Sequence, residues 1–126
     1  MNAPRVLIVD DNAMNVDLVS FLLTADGMQV QSAADVAQAH ARIAAQHPDL
    51  ILMDIQLPGV DGLELTRRLK TDAATHAIPI VALTAYAMKG DEARMLAAGC
   101  DGYIAKPVEV ATFTQQVRSF LAGAAR

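Results

Sequence analysis

The chain has 126 residues, of which 53% are hydrophobic and only 4% aromatic, and its formal net charge is −4. This length suits one domain with an aliphatic core that needs no disulfide or metal for stability. The negative charge argues against a groove that binds nucleic acid through its phosphates. Cys100 is the only cysteine, which excludes an internal disulfide and favours a reducing cytoplasm. We find no signal peptide and no apolar run long enough to span a membrane.

Five short apolar runs alternate with longer segments of mixed polarity. The first run, 6–9, precedes a segment in which Met14, Leu18, Phe21 and Leu22 recur at helical spacing, so we predict a helix at Ala13–Ala25. The other predicted strands cover 29–33, 50–53, 78–83 and 103–105, and the other predicted helices cover 34–46, 62–71, 91–98 and 108–121.

This alternation predicts an α/β fold with a doubly wound parallel sheet and helices on both faces. Continuous apolar runs are typical of parallel strands that are covered on both sides. The second and fifth runs are less apolar, as is common for edge or short strands. We see no linker, internal repeat or second domain, and therefore expect one domain over residues 1–126.

Polar side chains stand at the ends of four predicted strands. Asp10 and Asp11 follow the first, Asp54 the third, Thr84 the fourth and Lys106 the fifth. In open α/β sheets, sites form outside the carboxyl ends of the strands. We therefore expect these five side chains to meet at one edge of the sheet.

Three carboxylates at close range repel one another, and either protonation or a divalent cation with oxygen ligands relieves that repulsion. Mg²⁺ suits a site with few carboxylates and a phosphate, whereas the lack of His or Cys in this set disfavours zinc and copper. Carboxylates act as nucleophiles toward phosphorus, and metal and Lys stabilise the charge that develops. The set is suited to forming an acyl phosphate.

Each residue taken alone has an ordinary explanation. Asp11 could cap the following helix, and Asp54 could accept hydrogen bonds from loop N–H groups. Thr84 could simply end a strand, and Lys106 could be solvated. Their joint position at successive strand ends favours a functional site.

The chain resembles, over essentially its whole length, the receiver domain of two-component response regulators (the CheY-like superfamily). The matching motifs are VDDN, MDIQLPGVDG, ALTA and KP, in the order and spacing of the family. The segments LMDIQLP, AYAMKGDE and GCDGYIAKP are most similar to single-domain regulators of the DivK type, and also resemble receivers attached to hybrid histidine kinases. The resemblance implies a flavodoxin-like receiver fold, with five parallel strands in the order 2-1-3-4-5 and five helices.

The resemblance also implies roles for the acidic residues. Asp54 would be the phospho-acceptor. Asp11 and Asp54 would bind Mg²⁺, or Mn²⁺ in its place, together with the backbone carbonyl of Gln56. Asp10 would act largely through a metal-bound water.

Further roles carried over from the family concern the phosphoryl group and the switch. Thr84 would donate a hydrogen bond to the phosphoryl group, and Lys106 would pair with it. Tyr103 occupies the position of the family's switch aromatic and would turn inward with Thr84. The bond between Lys106 and Pro107 is expected to be cis.

The implied function is that of a phosphorylation-dependent response regulator. A histidine kinase or a histidine phosphotransfer protein would donate the phosphoryl group, and output would pass to a downstream protein. The chain would catalyse only its own phosphorylation and dephosphorylation, without binding nucleic acid or inserting into a membrane. Partner choice would involve the first helix, around Met14, Asn15, Leu18 and Val19, and the loop after the fifth strand.

Several alternatives stay open at this point. The chain could be the receiver module of a hybrid histidine kinase, or a phosphorelay intermediate without its own output, although the initial Met favours a stand-alone regulator. A phosphatase of the haloacid dehalogenase type would need a second Asp at the position of Gln56. A nucleotide-binding domain would need a Gly-rich phosphate motif. A receiver without phosphorylation would typically have lost an acid, the Thr or the Lys.

A few other residues attract separate predictions. Gln56 and Tyr86 would flank the acyl phosphate, and we hypothesise that Tyr86 slows its hydrolysis by excluding water. His40, His47 and His76 are expected at the surface, and Cys100 is expected to be a small buried apolar residue. Met88, Lys89 and Met95 are interpreted as ordinary core or solvent residues rather than as partner contacts.

Overall fold

The structure of the chain, a computed structural model, describes residues 3–55, 62–84 and 89–124. Five parallel strands form one sheet in the order β2-β1-β3-β4-β5, which confirms the predicted doubly wound architecture. The elements in chain order are β1 (Arg5–Val9), α1 (Ala13–Ala25), β2 (Gln29–Ala33), α2 (Val36–Ala45), β3 (Leu50–Asp54), α3 (Gly62–Thr71), β4 (Ile80–Thr84), α4 (Lys89–Ala98), β5 (Gly102–Ala105) and α5 (Phe113–Ala124).

The core has two main layers, because successive residues of a strand point to opposite faces of the sheet. One layer packs α1 and α5 against Val6, Ile8, Leu50, Leu52, Val81 and Leu83. The other packs α2 and α3 against Leu7, Val9, Ile51, Met53 and Ile80. A smaller cluster joins α4 to Ala82. The central strands β3 and β4 are buried along their whole length, which explains their continuous apolar sequence.

Several element boundaries differ from prediction, and the starts of β4 and α5 have clear causes. Strand β4 begins at Ile80, two residues later than predicted, because Ile78 donates its N–H to Thr75 in a turn and Pro79 has no N–H. Helix α5 begins at Phe113 rather than at 108, because a turn precedes it. Thr112 and Phe113 donate their N–H groups to the Glu109 carbonyl at the end of this turn. The segments just before β4 and α5 contain apolar residues, so the sequence pattern placed the starts of both elements too early.

Helix α1 forms where predicted, but most of the apolar stripe that predicts it faces solvent. Met14 is 83% exposed and Phe21 is 70% exposed, and Leu18 is exposed as well. The core face of the helix consists instead of Val19 and Leu23, with Val16 and Leu22 partly buried beside them. Helix α1 is therefore apolar on two faces.

Several single-residue predictions are confirmed. His40, His47 and His76 are exposed. Cys100 is buried, and burial raises the pKa of its thiol, although a hydrogen bond with Thr66 opposes this shift. The thiol is thus neutral near pH 7, as befits a small packing residue. Met95 is a core residue.

No helix among the described residues has the length and apolar character that crossing a membrane requires.

We predict that Phe113→Ala lowers the free energy of unfolding by about 3–5 kcal/mol, because it empties a fully buried position beneath the sheet. Phe21→Ala is the matched control. It removes the same atoms from a side chain that is 70% exposed, and we expect a change within about 0.5 kcal/mol. Urea unfolding followed by circular dichroism measures both. Equal losses in the two variants would contradict the assigned core.

Candidate functional site

The five polar residues singled out from the sequence all lie at the carboxyl edge of the sheet. Asp10 directly follows β1, and its N–H donates to the carbonyl of Ala33 at the end of β2. Asp54 and Thr84 are the last residues of β3 and β4. Lys106 directly follows β5, and its N–H donates to the Thr84 carbonyl at 2.7 Å. Parallel pairing of the strands thus brings these positions to one side.

Asp10, Asp11 and Asp54 form a carboxylate cluster. One oxygen from each lies within 4.8 Å of the others, which is close enough for all three to surround one cation. Asp10 and Asp54 are buried, whereas Asp11 is exposed. An all-oxygen donor set of this size fits a hard divalent cation such as Mg²⁺ and does not suit zinc or copper.

The Asp10 carboxylate is held by several donors. Its Oδ1 accepts from the Asn12 N–H at 2.9 Å, and its Oδ2 accepts from Asn15 Nδ2 and from Lys106 Nζ. Both oxygens of Asp10 are therefore already hydrogen-bonded within the protein. These hydrogen bonds limit direct binding of a cation by Asp10.

Sequence reasoning missed the parts that Asn12 and Asn15 play. Asn12 is the N-cap of α1, and its side-chain oxygen accepts from the Asn15 N–H at 3.0 Å. Asp11 is thus not the cap, so this ordinary explanation of that acid is wrong. The signal was present in the sequence, because two Asn three residues apart at a helix start can satisfy both the helix end and a neighbouring acid.

Lys106 supplies the positive charge of the site. Its Nζ lies 3.3 Å from Asp10 Oδ2 and 3.6 Å from Asp54 Oδ1. The peptide bond between Lys106 and Pro107 is cis, as the resemblance implied. Thr84 is buried beside this group at the end of β4. One ammonium among three carboxylates leaves the cluster with a net negative charge, which favours binding of a further cation.

Gly62 allows α3 to begin directly against the end of β3. A Cβ atom at this position would lie 2.3 Å from the carbonyl oxygen of Asp54, which is a backbone atom and cannot turn aside. The Gly62 N–H donates to the Ile55 carbonyl at 3.1 Å, and the Thr66 hydroxyl donates to the Gly62 carbonyl. The close approach explains this glycine and fixes the backbone that carries Asp54.

Other predicted functional residues have different outcomes. Tyr103 is 36% exposed, so its ring lies partly at the surface of β5. Val19 was predicted to contact partners, but it is fully buried in the core and cannot do so. Gln56, Tyr86 and Met88 lie outside the described residues.

The family model of the response regulator receiver domain matches residues 6–118. Among curated relatives, the polar-differentiation response regulator DivK of Brucella ovis is 45% identical over 119 residues, which cover 94% of this chain and 97% of that protein. The DivK protein of Brucella anthropi is 44% identical over the same shares of the two chains.

Solved structures agree with this likeness. A CheY-like receiver domain protein from Methanospirillum hungatei superposes with a TM-score of 0.89 at 29% identity, covering 98% of both chains. The receiver domain of a sensor histidine kinase from Pseudomonas aeruginosa superposes with a TM-score of 0.85 at 34% identity, covering 95% of this chain and 98% of that one. That protein has a magnesium ion coordinated in its active-site cleft.

The motifs at the strand ends, the parallel sheet and the acidic cluster at its carboxyl edge agree with all of these comparisons. The chain belongs to the response regulator receiver family and is a DivK-like receiver domain of two-component signalling.

Proposed function

We propose that this receiver accepts a phosphoryl group on Asp54 in a reaction that requires Mg²⁺. The observation that carries the proposal is the cluster of three carboxylates together with Lys106, whose Nζ lies 3.6 Å from Asp54 Oδ1. Asp54 ends a fully buried strand, so its carboxylate is held in place while a donor approaches from solvent.

Asp11 and Asp54 are the residues that would bind the cation directly, with Mn²⁺ as an alternative to Mg²⁺. Both oxygens of Asp10 are hydrogen-bonded within the protein, which supports an indirect role for that residue through water. When bound, the cation neutralises the clustered carboxylates and the oxygens of the phosphoryl group. The family resemblance adds the backbone carbonyl of Gln56 to this set.

In the proposed transfer, an oxygen of Asp54 forms a new bond to phosphorus. The bond from phosphorus to the histidine nitrogen of the donor breaks, and that nitrogen leaves with the electron pair. Lys106 pairs with the transferred phosphoryl oxygens, and the Thr84 hydroxyl donates a hydrogen bond to one of them. The chain thus catalyses its own phosphorylation and later its own dephosphorylation, and acts on no separate substrate.

We predict that incubation with acetyl phosphate and Mg²⁺ adds one phosphoryl group to the wild-type chain and none to Asp54→Asn, because an amide is a poor nucleophile toward phosphorus. Intact mass spectrometry measures the gain. Asp17→Asn is the matched control, since Asp17 is an exposed acid on α1. A wild-type chain that gains no phosphoryl group, or an Asp54→Asn chain that gains as much, would refute the assignment.

The donor is proposed to be a histidine kinase or a histidine phosphotransfer protein that docks on α1. Met14, Leu18 and Phe21 lie one helical turn apart and form an exposed apolar stripe beside the acidic site. An exposed stripe of this kind is typical of a surface that binds a partner helix. Of the partner contacts predicted from the sequence, Met14 and Leu18 are kept and the exposed Phe21 takes the place of the buried Val19. Asn15 belongs instead to the acidic site, where it donates to Asp10.

We predict that Phe21→Ala slows phosphoryl transfer from a phosphorylated histidine phosphotransfer protein by about ten-fold, because a large apolar anchor is lost from the interface. Phosphorylation by acetyl phosphate should keep its wild-type rate, since Asp54 is unchanged. Leu96→Ala provides the control, because Leu96 is an exposed apolar residue on α4. Equal slowing with both phosphodonors, or equal slowing by Leu96→Ala, would rule out this docking surface.

Output is proposed to follow from a change in Thr84 and Tyr103. Thr84 is buried at the end of β4, and Tyr103 lies on the neighbouring strand β5 with 36% of its surface exposed. A phosphoryl group on Asp54 favours the state in which Thr84 contacts it, and Tyr103 moves into the space vacated. The surface of α4, β5 and α5 then differs between the two states and binds a downstream protein.

We predict that phosphorylation makes Tyr103 less accessible to acrylamide. The chain has two tyrosines and no tryptophan, so Tyr86→Phe leaves Tyr103 as the only tyrosine fluorophore. Stern–Volmer quenching of the Tyr86→Phe chain should fall after treatment with acetyl phosphate and Mg²⁺. It should not change in the double variant that also carries Asp54→Asn. Unchanged quenching in a sample that mass spectrometry shows to be phosphorylated would exclude this switch.

The proposed setting is a cytoplasmic two-component or phosphorelay pathway. The relatives that match nearly end to end are named as response regulators, which supports a regulator. A receiver domain of a sensor histidine kinase is also among the similar structures. The proposed phosphoryl transfer would serve equally in a receiver module of such a kinase or in a phosphorelay intermediate.

A further inference from the structure

A cavity of about 240 Å³ opens at the edge of the sheet opposite the acidic site, between β1, β2 and the second half of α2. Arg5, the first residue of β1, lines it, whereas the acidic cluster begins after the last residue of that strand. The cavity and the phosphorylation site are thus separated by the length of β1.

The cavity exists because β2 turns polar residues toward α2. Arg5 pairs with Gln29, and Leu7 pairs with Gln31, in the parallel register of β1 and β2. Ala33 lies on the same face as these residues and packs against α2 in the core. Glutamines at 29 and 31 cannot continue that apolar contact, so the end of α2 does not close over them.

Two guanidinium groups line the cavity without a carboxylate partner among the described residues. With the Gln46 amide turned so that its oxygen faces Arg5, that oxygen accepts from Arg5 Nε and Nη2 at 3.1 Å each. Arg42 Nε donates to the Ser32 carbonyl at 3.3 Å. Asp49, the nearby acid, accepts from the backbone N–H of Arg5 rather than from its guanidinium.

The lining of the cavity also contains two side-chain amides. The side-chain amides of Gln29 and Gln31 make no hydrogen bond within the part of the chain that the structure describes, and both are exposed at the cavity. Arg5, Arg42 and the two glutamines thus place several N–H donors and two permanently charged side chains around one cavity, in a chain of net charge −4.

We propose that this cavity binds a small molecule that carries a doubly charged oxyanion, either a phosphate monoester or a dicarboxylate. Planar guanidinium groups bind both classes through paired N–H donors. The cavity, at about 240 Å³, is smaller than the roughly 300–1,000 Å³ pockets that hold drug-sized ligands. The ligand is therefore a compact one, and binding does not involve Asp54 or the cation site.

The test is a titration of the ¹⁵N-labelled full chain with inorganic phosphate and, separately, with succinate, followed by amide chemical shifts. Mg²⁺ is left out throughout, and sodium chloride holds the ionic strength constant. We expect saturable shifts at residues 29–31 and 42–46 with at least one of the two anions. The anion that binds more tightly identifies the chemical class.

Four variants make the assignment specific. Arg42→Gln and Arg5→Gln should each raise the dissociation constant about ten-fold, because each removes a charge-assisted pair of donors. Arg67→Gln is the matched control, since Arg67 is exposed on α3 and paired with Glu64. Asp54→Asn should bind as wild type does, which separates this site from the phosphorylation site.

Arg5→Gln could disturb the fold, because Arg5 contacts Gln46. Arg42 is exposed, so Arg42→Gln should leave the fold intact and still tests whether the cavity binds the anion. Shifts that do not saturate, or shifts that chloride alone reproduces, would overturn the proposal. Equal weakening by Arg67→Gln and Arg42→Gln would overturn it as well.

Discussion

The ammonium of Lys106 lies between two buried carboxylates, 3.3 Å from Asp10 and 3.6 Å from Asp54, and the site depends on this contact. Without it, adjacent acids at the end of an apolar sheet would repel one another in a medium that screens them poorly. One ammonium cannot balance three carboxylates, so the site keeps a net negative charge that a divalent cation can offset. The same ammonium is positioned to pair with an anion that arrives at Asp54. The proposed chemistry follows from this incomplete balance of charge.

The sheet makes that contact geometrically possible. Asp10 follows β1, Asp54 ends β3 and Lys106 follows β5, and parallel pairing brings these three chain positions to one edge, with β1 beside β3. The strand β3 is buried on both faces, and Gly62 lets α3 begin within contact distance of the Asp54 carbonyl. The rigid backbone around Asp54, the proposed phospho-acceptor, is thus a consequence of close packing.

The two ends of the sheet carry opposite chemistry. The carboxyl edge collects carboxylates, whereas the amino edge, beside α2, collects Arg5, Arg42 and three glutamines around an open cavity. Helix α1 adds a further surface, since Met14, Leu18 and Phe21 are exposed while Val19 and Leu23 pack in the core. These features lie on separate parts of one small domain. A cation, a partner helix and a small anion could therefore be bound without competing for the same side chains.

The alternation of apolar runs and helical spacing was enough to predict the element order and the parallel sheet. Strands that are buried on both faces appear in the sequence as continuous apolar runs, whereas helices show helical spacing. The motifs at the strand ends likewise identified Asp10, Asp11, Asp54, Thr84 and Lys106 as one group. The pattern could not tell which face of α1 is buried, because both faces are apolar. It also carried no sign that Gln29 and Gln31 would lie across from Arg5 and Leu7. Those outcomes depend on strand register and on which elements become neighbours, and only the packed tertiary structure decides them.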